Sequence, residues 1–152
     1  MYKIQEETNV KAMAECLRLG KLHYDEVYAD KKEQIPRNYN WQFLNLCLTN
    51  KLMHIVTARN ESDELVGYFV NLVSPDMLSS TFVATDLAIF IHPDCRGSGL
   101  FKDLLNFMET MLAKNGVASQ MLKFQSGHSD KLPLAFGYKL RELVYEKILV
   151  EG

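Results

Sequence analysis

The stretch IFIHPDCRGSGLFKDLLNFMETML, residues 89–112, sets the architecture through its order of residue types. It ends an apolar strand, passes through a polar bend with Pro93, Gly97 and Gly99, and enters a segment in which Leu100, Leu104, Phe107, Met108, Met111 and Leu112 recur at i, i+4, i+7, i+8, i+11 and i+12. That spacing is one face of an α-helix, and Gly116 predicts where it stops. A helix that opens directly from a glycine bend leaves backbone N–H groups unpaired at its positive end, so an anion suits the bend. Gly97 and Gly99 allow positive φ angles and close approach of a ligand to the backbone, and Arg96 beside them can fork onto a phosphate. Two common phosphate loops are excluded on spacing. There is no GxxxxGK[ST], and the GxG lacks both a third glycine and βαβ surroundings. On the glycines alone, a plain turn into a helix remains the alternative.

Working outward, TFVATDLAIFIH (residues 81–92) predicts a long strand leading into the bend. Before it, MHIVTARN and LVGYFVNLVS alternate around the polar turn NESDE, which predicts an antiparallel hairpin, and residues 75–80 form a loop. Further back, Tyr2, Ile4 and Glu6 alternate with Lys3 and Gln5 as a short edge strand. Thr8 is the expected cap of a helix carrying Val10, Met13, Ala14 and Leu17 up to Gly20. Residues 21–40, with Pro36, read as a loop. Asn40 is expected to cap a second helix in which Trp41, Leu44 and Leu48 share a face, with Trp41 as a core anchor. Beyond the central helix, residues 119–124 predict a short strand, 130–135 a helical turn holding Pro133, and 138–150 a closing strand. The result is a mixed α/β sheet with helices on its faces, not a doubly wound repeat.

Length and composition agree with one domain spanning residues 1–152. A net charge of −2 gives no basic field for nucleic acid or an anionic membrane. The longest apolar runs fall far short of a bilayer span, and MYKIQEETN lacks the apolar core of a secretion signal, so a cytoplasmic location is expected. Three cysteines without CxxC spacing argue against a disulfide framework and a zinc site; Cys16 and Cys47 read as small buried residues.

IFIHPDCRGSGLFKDLL resembles the acetyl-CoA motif of the GNAT N-acetyltransferases. Their signature is Arg or Gln, two residues, Gly, one residue, then Gly or Ala, after a strand ending in an apolar residue, any residue and Pro. Arg96 and Gly99 fill the first two positions, Ile91, His92 and Pro93 match the strand end, and Phe101 departs from the last. The element order and the ending AFGYKLRELVYEK are similar as well. HYDEV (residues 23–27), the Asn40-Trp41 region, LVGYFV, residues 84–86 and GYKLRELVYEKIL resemble a bacteriophage-type branch of these enzymes.

The resemblance implies a GNAT fold, with a central, mostly antiparallel sheet that splays at the cofactor strand and helices on both faces. It implies acetyl-CoA as cofactor and a primary amine, on a small molecule or a protein, as acceptor. Backbone groups near Phe90 and Ile91 would polarise the thioester carbonyl. Arg96, Gly97, Ser98, Gly99, Leu100 and Phe101 would hold the phosphates, and Ser126 stands where the family often has Asn. Asp86 is the expected base, because a carboxylate within TFVATDLAIFI is costly to bury without a purpose, and simple alternation sets it on the face opposite Leu87, Ile89 and Ile91; a structural ion pair or loop contact is the competing role. His23 and Glu26 fall in the segment that lines the acceptor side. Asp25, Glu26, Asp30 and Glu33 fit a cationic acceptor or a solvated loop. His92 has the right chemistry for acid/base work but sits at the strand end. The tyrosine that usually protonates the leaving thiolate is replaced by Pro133, leaving His128, Tyr138 or water, while Tyr138 and Tyr145 alike read first as core aromatics of the closing strand. Pro133 and Phe101 keep open a CoA-binding module without catalysis; a separate alternative is an inhibitor-like protein that acetylates or occupies one macromolecular target. A homodimer is expected by analogy.

Overall fold

The computed structural model describes residues 1–27, 38–124 and 131–150. In chain order it comprises β1 (Lys3–Glu6), α1 (Val10–Val27), α2 (Trp41–Thr49), β2 (Met53–Arg59), β3 (Leu65–Pro75), β4 (Phe82–Ile91), a 3-10 turn (Pro93–Cys95), α3 (Leu100–Lys114), β5 (Val117–Met121) and α4 (Lys131–Ala135). The strands form one sheet in the order β1-β2-β3-β4-β5. Its first three pairings are antiparallel and β4–β5 is parallel, as the crossover through α3 requires.

Each face of the sheet has its own core. On one, Leu100, Leu104, Leu105, Met108 and Leu112 of α3 pack on Val56, Ala58, Phe69, Val73 and Ala84. On the other, Met13 and Cys16 of α1 and Cys47 of α2 pack on Ile55, Tyr68, Val70 and Phe90. Cys16 and Cys47 are buried free thiols, and burial pushes the Cys16 thiol up to about 12. Within α3 the buried stripe takes in Leu105, while Phe107, at its margin, is 37% exposed.

Several local expectations change, each for a physical reason. Asn9, not Thr8, caps α1, its Oδ1 accepting the Ala12 N–H at 2.8 Å. Gly20 does not end the helix: a Cβ there would lie 3.3 Å from the Tyr68 hydroxyl, so the glycine lets α1 pass close to β3 and run on to Val27. Asn40 does cap α2, accepting from the Phe43 N–H at 3.0 Å. Trp41 is no core anchor, however. It is 45% exposed and meets Tyr39 edge-on at 6.3 Å, at the rim of a groove also lined by Ala14, Leu17, Arg18 and Lys21. Residues 138–150 lie outside the sheet instead of closing it, and leave Leu140, Leu143, Val144, Tyr145 and Leu149 largely exposed. Pro36 lies outside the described residues.

Candidate functional site

The site begins where β4 loses its neighbour. β5 pairs only with the first residues of β4, from Phe82 to Thr85, and the described residues form no further β4–β5 pairs beyond this point. On the other edge the His92 N–H donates to the Val66 carbonyl at 2.8 Å. Backbone direction alternates along an antiparallel strand, so the groups of Phe90 turn toward β3 and those of Ile89 and Ile91 turn to the open edge. The Ile91 carbonyl confirms this direction by accepting from Arg96 Nε at 3.0 Å. The open-edge donors are therefore Ile89 and Ile91, and Phe90 contributes its ring.

Asp86 sits where this pairing ends. The pairing of β3 with β4 skips Leu87, since Val70 faces Ala88 and Asn71 faces Asp86. One bulged residue reverses the alternation, so Asp86 lies on the α3 side with Ala84, Ile89 and Ile91. The expectation that it faces away from Ile89 and Ile91 is thereby corrected. Asp86 is 6% exposed, and both carboxylate oxygens accept the Lys123 N–H at 3.1 Å. Burial pushes its carboxyl above the ordinary value, against the opposing pull of the Lys123 N–H and charge.

The bend itself has the shape of a cradle. Gly97 and Gly99 take φ of 79° and 84°, and a Cβ on either would meet nothing within 4 Å, so the conformation and not crowding selects glycine. Gly99 is the N-cap of α3 and no side chain caps the helix there. The first-turn N–H groups from Leu100 onward thus face outward beside Arg96, the donor set a pyrophosphate needs, although Asp103 in the same turn opposes it. The Ser98 hydroxyl donates to the Cys95 carbonyl at 2.7 Å, bracing the turn. Phe101 packs into the α3-side core against Phe136, centroids 6.0 Å apart, so its bulk leaves the bend and its backbone N–H stays there. The residues present fit the phosphate moiety of acetyl-CoA.

Across the strand end, the last turns of α1 meet this bend. Glu26 takes both Nη groups of Arg96, at 3.0 and 2.8 Å, and the guanidinium lies 5.4 Å from the centre of the Phe90 ring. His23 stacks on the other side of the cluster, 5.1 Å from Phe90 at 16°, with Nδ1 3.0 Å from the Tyr68 hydroxyl. Burial, more than the opposing charge of Glu26, holds the His23 imidazole below its ordinary value and favours its neutral form. His23 and Glu26 are thus helical, not in a loop, and are brought to the cofactor bend. His92 caps the 3-10 turn, its Nδ1 accepting the Asp94 N–H at 3.3 Å. Ser126 and His128 lie outside the described residues. Tyr138 donates to Glu109 Oε1 at 2.7 Å, and burial, then that carboxylate, raises its pKa, which makes it a poor proton donor to anything else. Tyr145 is 88% exposed, outside the sheet. Sequence reasoning missed Asn71 and Gln120. Asn71 had the same signal as Asp86, a polar residue inside an apolar run.

Among the described residues no group of three or more His, Cys, Asp or Glu is placed to hold a metal, and no helix is long and apolar enough to cross a membrane.

The model of the Acetyltransferase (GNAT) family matches residues 15–135. No curated protein matches the chain. Among solved structures, it is similar to an aminoglycoside acetyltransferase from an uncultured soil metagenomic sample in complex with sisomicin, at 15% identity and TM-score 0.70, covering 96% of each chain. The "predicted acetyltransferase with acetyl-CoA" of Clostridium acetobutylicum superposes with TM-score 0.74 at 13% identity, over 97% of this chain and 96% of that one. The ribosomal-protein-alanine N-acetyltransferase of Brucella melitensis biovar Abortus 2308 does so with TM-score 0.68 at 15% identity, over the full length of both.

Proposed function

The chain belongs to the acetyltransferase (GNAT) family and uses acetyl-CoA, and on that premise we propose that it moves the acetyl group to a primary amine by direct attack, with Asp86 as the base. The observation that carries this reading is a buried carboxylate where the pairing of β4 with β5 ends, on the same strand as the open-edge N–H groups of Ile89 and Ile91. Acetyl-CoA supplies a thioester whose carbonyl carbon is open to an amine. Ile89 and Ile91 offer preorganised donors to the carbonyl oxygen, where negative charge develops. The bend at Arg96, Gly97, Ser98, Gly99, Leu100 and Phe101 orients the donor through its phosphates. A pyrophosphate and Glu26 compete for the same two Nη groups of Arg96, so Glu26 tunes donor affinity as well as facing the acceptor side with His23. Proton return to the leaving thiolate falls to His128 or water, because the Tyr138 proton is committed to Glu109. The aminoglycoside and protein-alanine acetyltransferases of the same fold act on amines, which supports the acceptor class.

Titration calorimetry with acetyl-CoA tests the donor site. Arg96→Glu is expected to weaken binding by about 10- to 100-fold, since a charge-assisted contact is replaced by repulsion. An unaltered dissociation constant counts against the phosphate cradle. Thiol release with a panel of amines then separates turnover from a CoA-binding module, for which binding without release is the signature.

The apolar side chains exposed along residues 138–150 support a homodimer in which a second copy covers this segment. Sedimentation at twice the mass of one chain is expected, falling to one mass in Tyr145→Lys; a monomeric parent protein rejects the dimer.

A further inference from the structure

Resting on the reading of Asp86 as the base, we propose that Asn71 is a positioning residue whose side-chain carbonyl accepts the O–H of Asp86 once that carboxyl carries a proton, and that a polar chain running to Glu109 locks Asn71 in this orientation. Asn71 is completely buried, and among the described residues its Oδ1 has no hydrogen-bond partner. A buried carbonyl left unpaired is costly, so it calls for a donor.

The direction of the chain follows from donor and acceptor capacity. The Glu109 carboxylate can only accept, so the Tyr138 hydroxyl gives it its single proton, at 2.7 Å. The Tyr138 oxygen then accepts from Gln120 Nε2 at 2.7 Å. With Nε2 engaged on that side, Gln120 presents Oε1 to Asn71, whose Nδ2 donates to it at 2.5 Å. Asn71 is left with Oδ1 as its outward atom. Reversing either amide would set two donors or two acceptors against each other.

Asn71 lies directly opposite Asp86 in the β3–β4 register, and the bulge at Leu87 puts both on the α3 side. Directly opposed side chains start about 4.5–5.5 Å apart at Cβ. An ionised Asp86 offers Oδ1 only acceptors; a protonated one offers an O–H. Among the described residues, few groups act on Asp86 from the surrounding elements. From the chain after β5 come the Lys123 N–H and charge, which favour the ionised form. From beyond α4 comes Tyr138, kept un-ionised by burial and then by Glu109 of α3. From β3 comes Asn71, which opposes Lys123. Asn71 thus makes Asp86 hold the proton it removes from the amine.

Carbon-13 NMR titration of aspartate-labelled full-length protein reads this directly, with the Asp86 carboxyl signal identified by its loss in Asp86→Asn. In Gln120→Leu, Asn71 is free to turn and offer Nδ2 to the ionised carboxylate, so the Asp86 midpoint is expected to fall by about one pH unit. Tyr138→Phe is expected to shift it in the same direction by less. An unchanged or raised midpoint in Gln120→Leu overturns the inference, and if that variant does not fold, Tyr138→Phe decides by the same criterion. A merely structural chain would lower the melting temperature and leave the midpoint alone. The base assignment fails separately, through full turnover in Asp86→Asn, and the titration remains readable in that event.

Discussion

Asp86→Asn is expected to lower kcat/KM for an amine acceptor by about 10²- to 10⁴-fold, the range that general-base contributions span. An alkyl amine with pKa near 10.4 is only about 0.04% neutral at pH 7, equivalent to roughly 4.6 kcal/mol of unfavourable protonation, so removing its proton at the site is worth much. The proposed base would work ionised, and burial raises the Asp86 pKa. Activity of the parent protein therefore falls as pH drops through that raised value, and the variant loses this acid limb. Stability changes the other way. A carboxyl whose folded pKa lies above its unfolded value binds its proton more tightly in the fold, so its ionised form costs stability at neutral pH, and that cost disappears below the unfolded pKa. Asn keeps an acceptor for the Lys123 N–H and carries no charge. The variant should melt at or above the parent temperature at pH 7, so its lost turnover is not lost folding. Turnover and a pH profile equal to the parent's would end the assignment.

The bend at Arg96 to Gly99 was legible because its rules are local: glycine for positive φ, a helix stripe behind it, an apolar strand before it. The buried faces of α3 and of the β2–β3 hairpin were legible for the same reason. What escaped depended on contacts between distant residues. Period-two reading along β4 gives Asp86 the wrong face, since a single bulged residue at Leu87 reverses the alternation and nothing in the side chains announces it. Gly20 reads as a helix stop, yet it is there for the Tyr68 hydroxyl across the interface. That contact carries α1 on to His23 and Glu26 and delivers them to Arg96. Trp41 follows the helical period of α2, but the period says which residues share a face, not whether that face meets the core. The β-branched and aromatic residues of 138–150 have strand character, and whether a strand forms there depends on a neighbouring edge. Asn71 and Gln120 gain meaning only as members of a directed chain.

Arg59→Ala is expected to destabilise the protein by about 3–5 kcal/mol, measured from urea midpoints at pH 7. Arg59 is 6% exposed at the end of β2. Its Nε and one Nη group reach the two carboxylate oxygens of Glu7 at 3.0 and 3.2 Å. The other Nη group reaches Glu15 of α1 at 2.8 Å and the Asp63 carbonyl of the hairpin turn at 3.0 Å. One planar fork thus fastens the β1–α1 junction, the first helix and the β2–β3 turn together, while Thr57 adds a short hydrogen bond to Glu7. Alanine leaves two poorly solvated carboxylates facing one another, and lysine, with a single point charge, cannot reproduce the fork. Burial alone would raise Glu7, but the hydrogen bonds from Arg59, Thr57 and Gln5 outweigh it, and Glu7 lies below its ordinary 4.5; Glu15 lies below 4.5 chiefly through its bond to Arg59. Carboxyls with depressed folded pKa values contribute stability above the unfolded value and lose it as pH falls through the folded one. The parent protein therefore weakens below about pH 4.5. The variant, freed of charge repulsion as Glu7 and Glu15 take up protons, holds steady or strengthens there. The gap between the two urea midpoints should narrow from pH 7 to pH 3.5. Adding Glu7→Gln and Glu15→Gln to Arg59→Met should recover most of the loss at pH 7, because no unpaired charge then remains buried. Equal midpoints for parent and Arg59→Ala at pH 7 would show that the cluster holds nothing together.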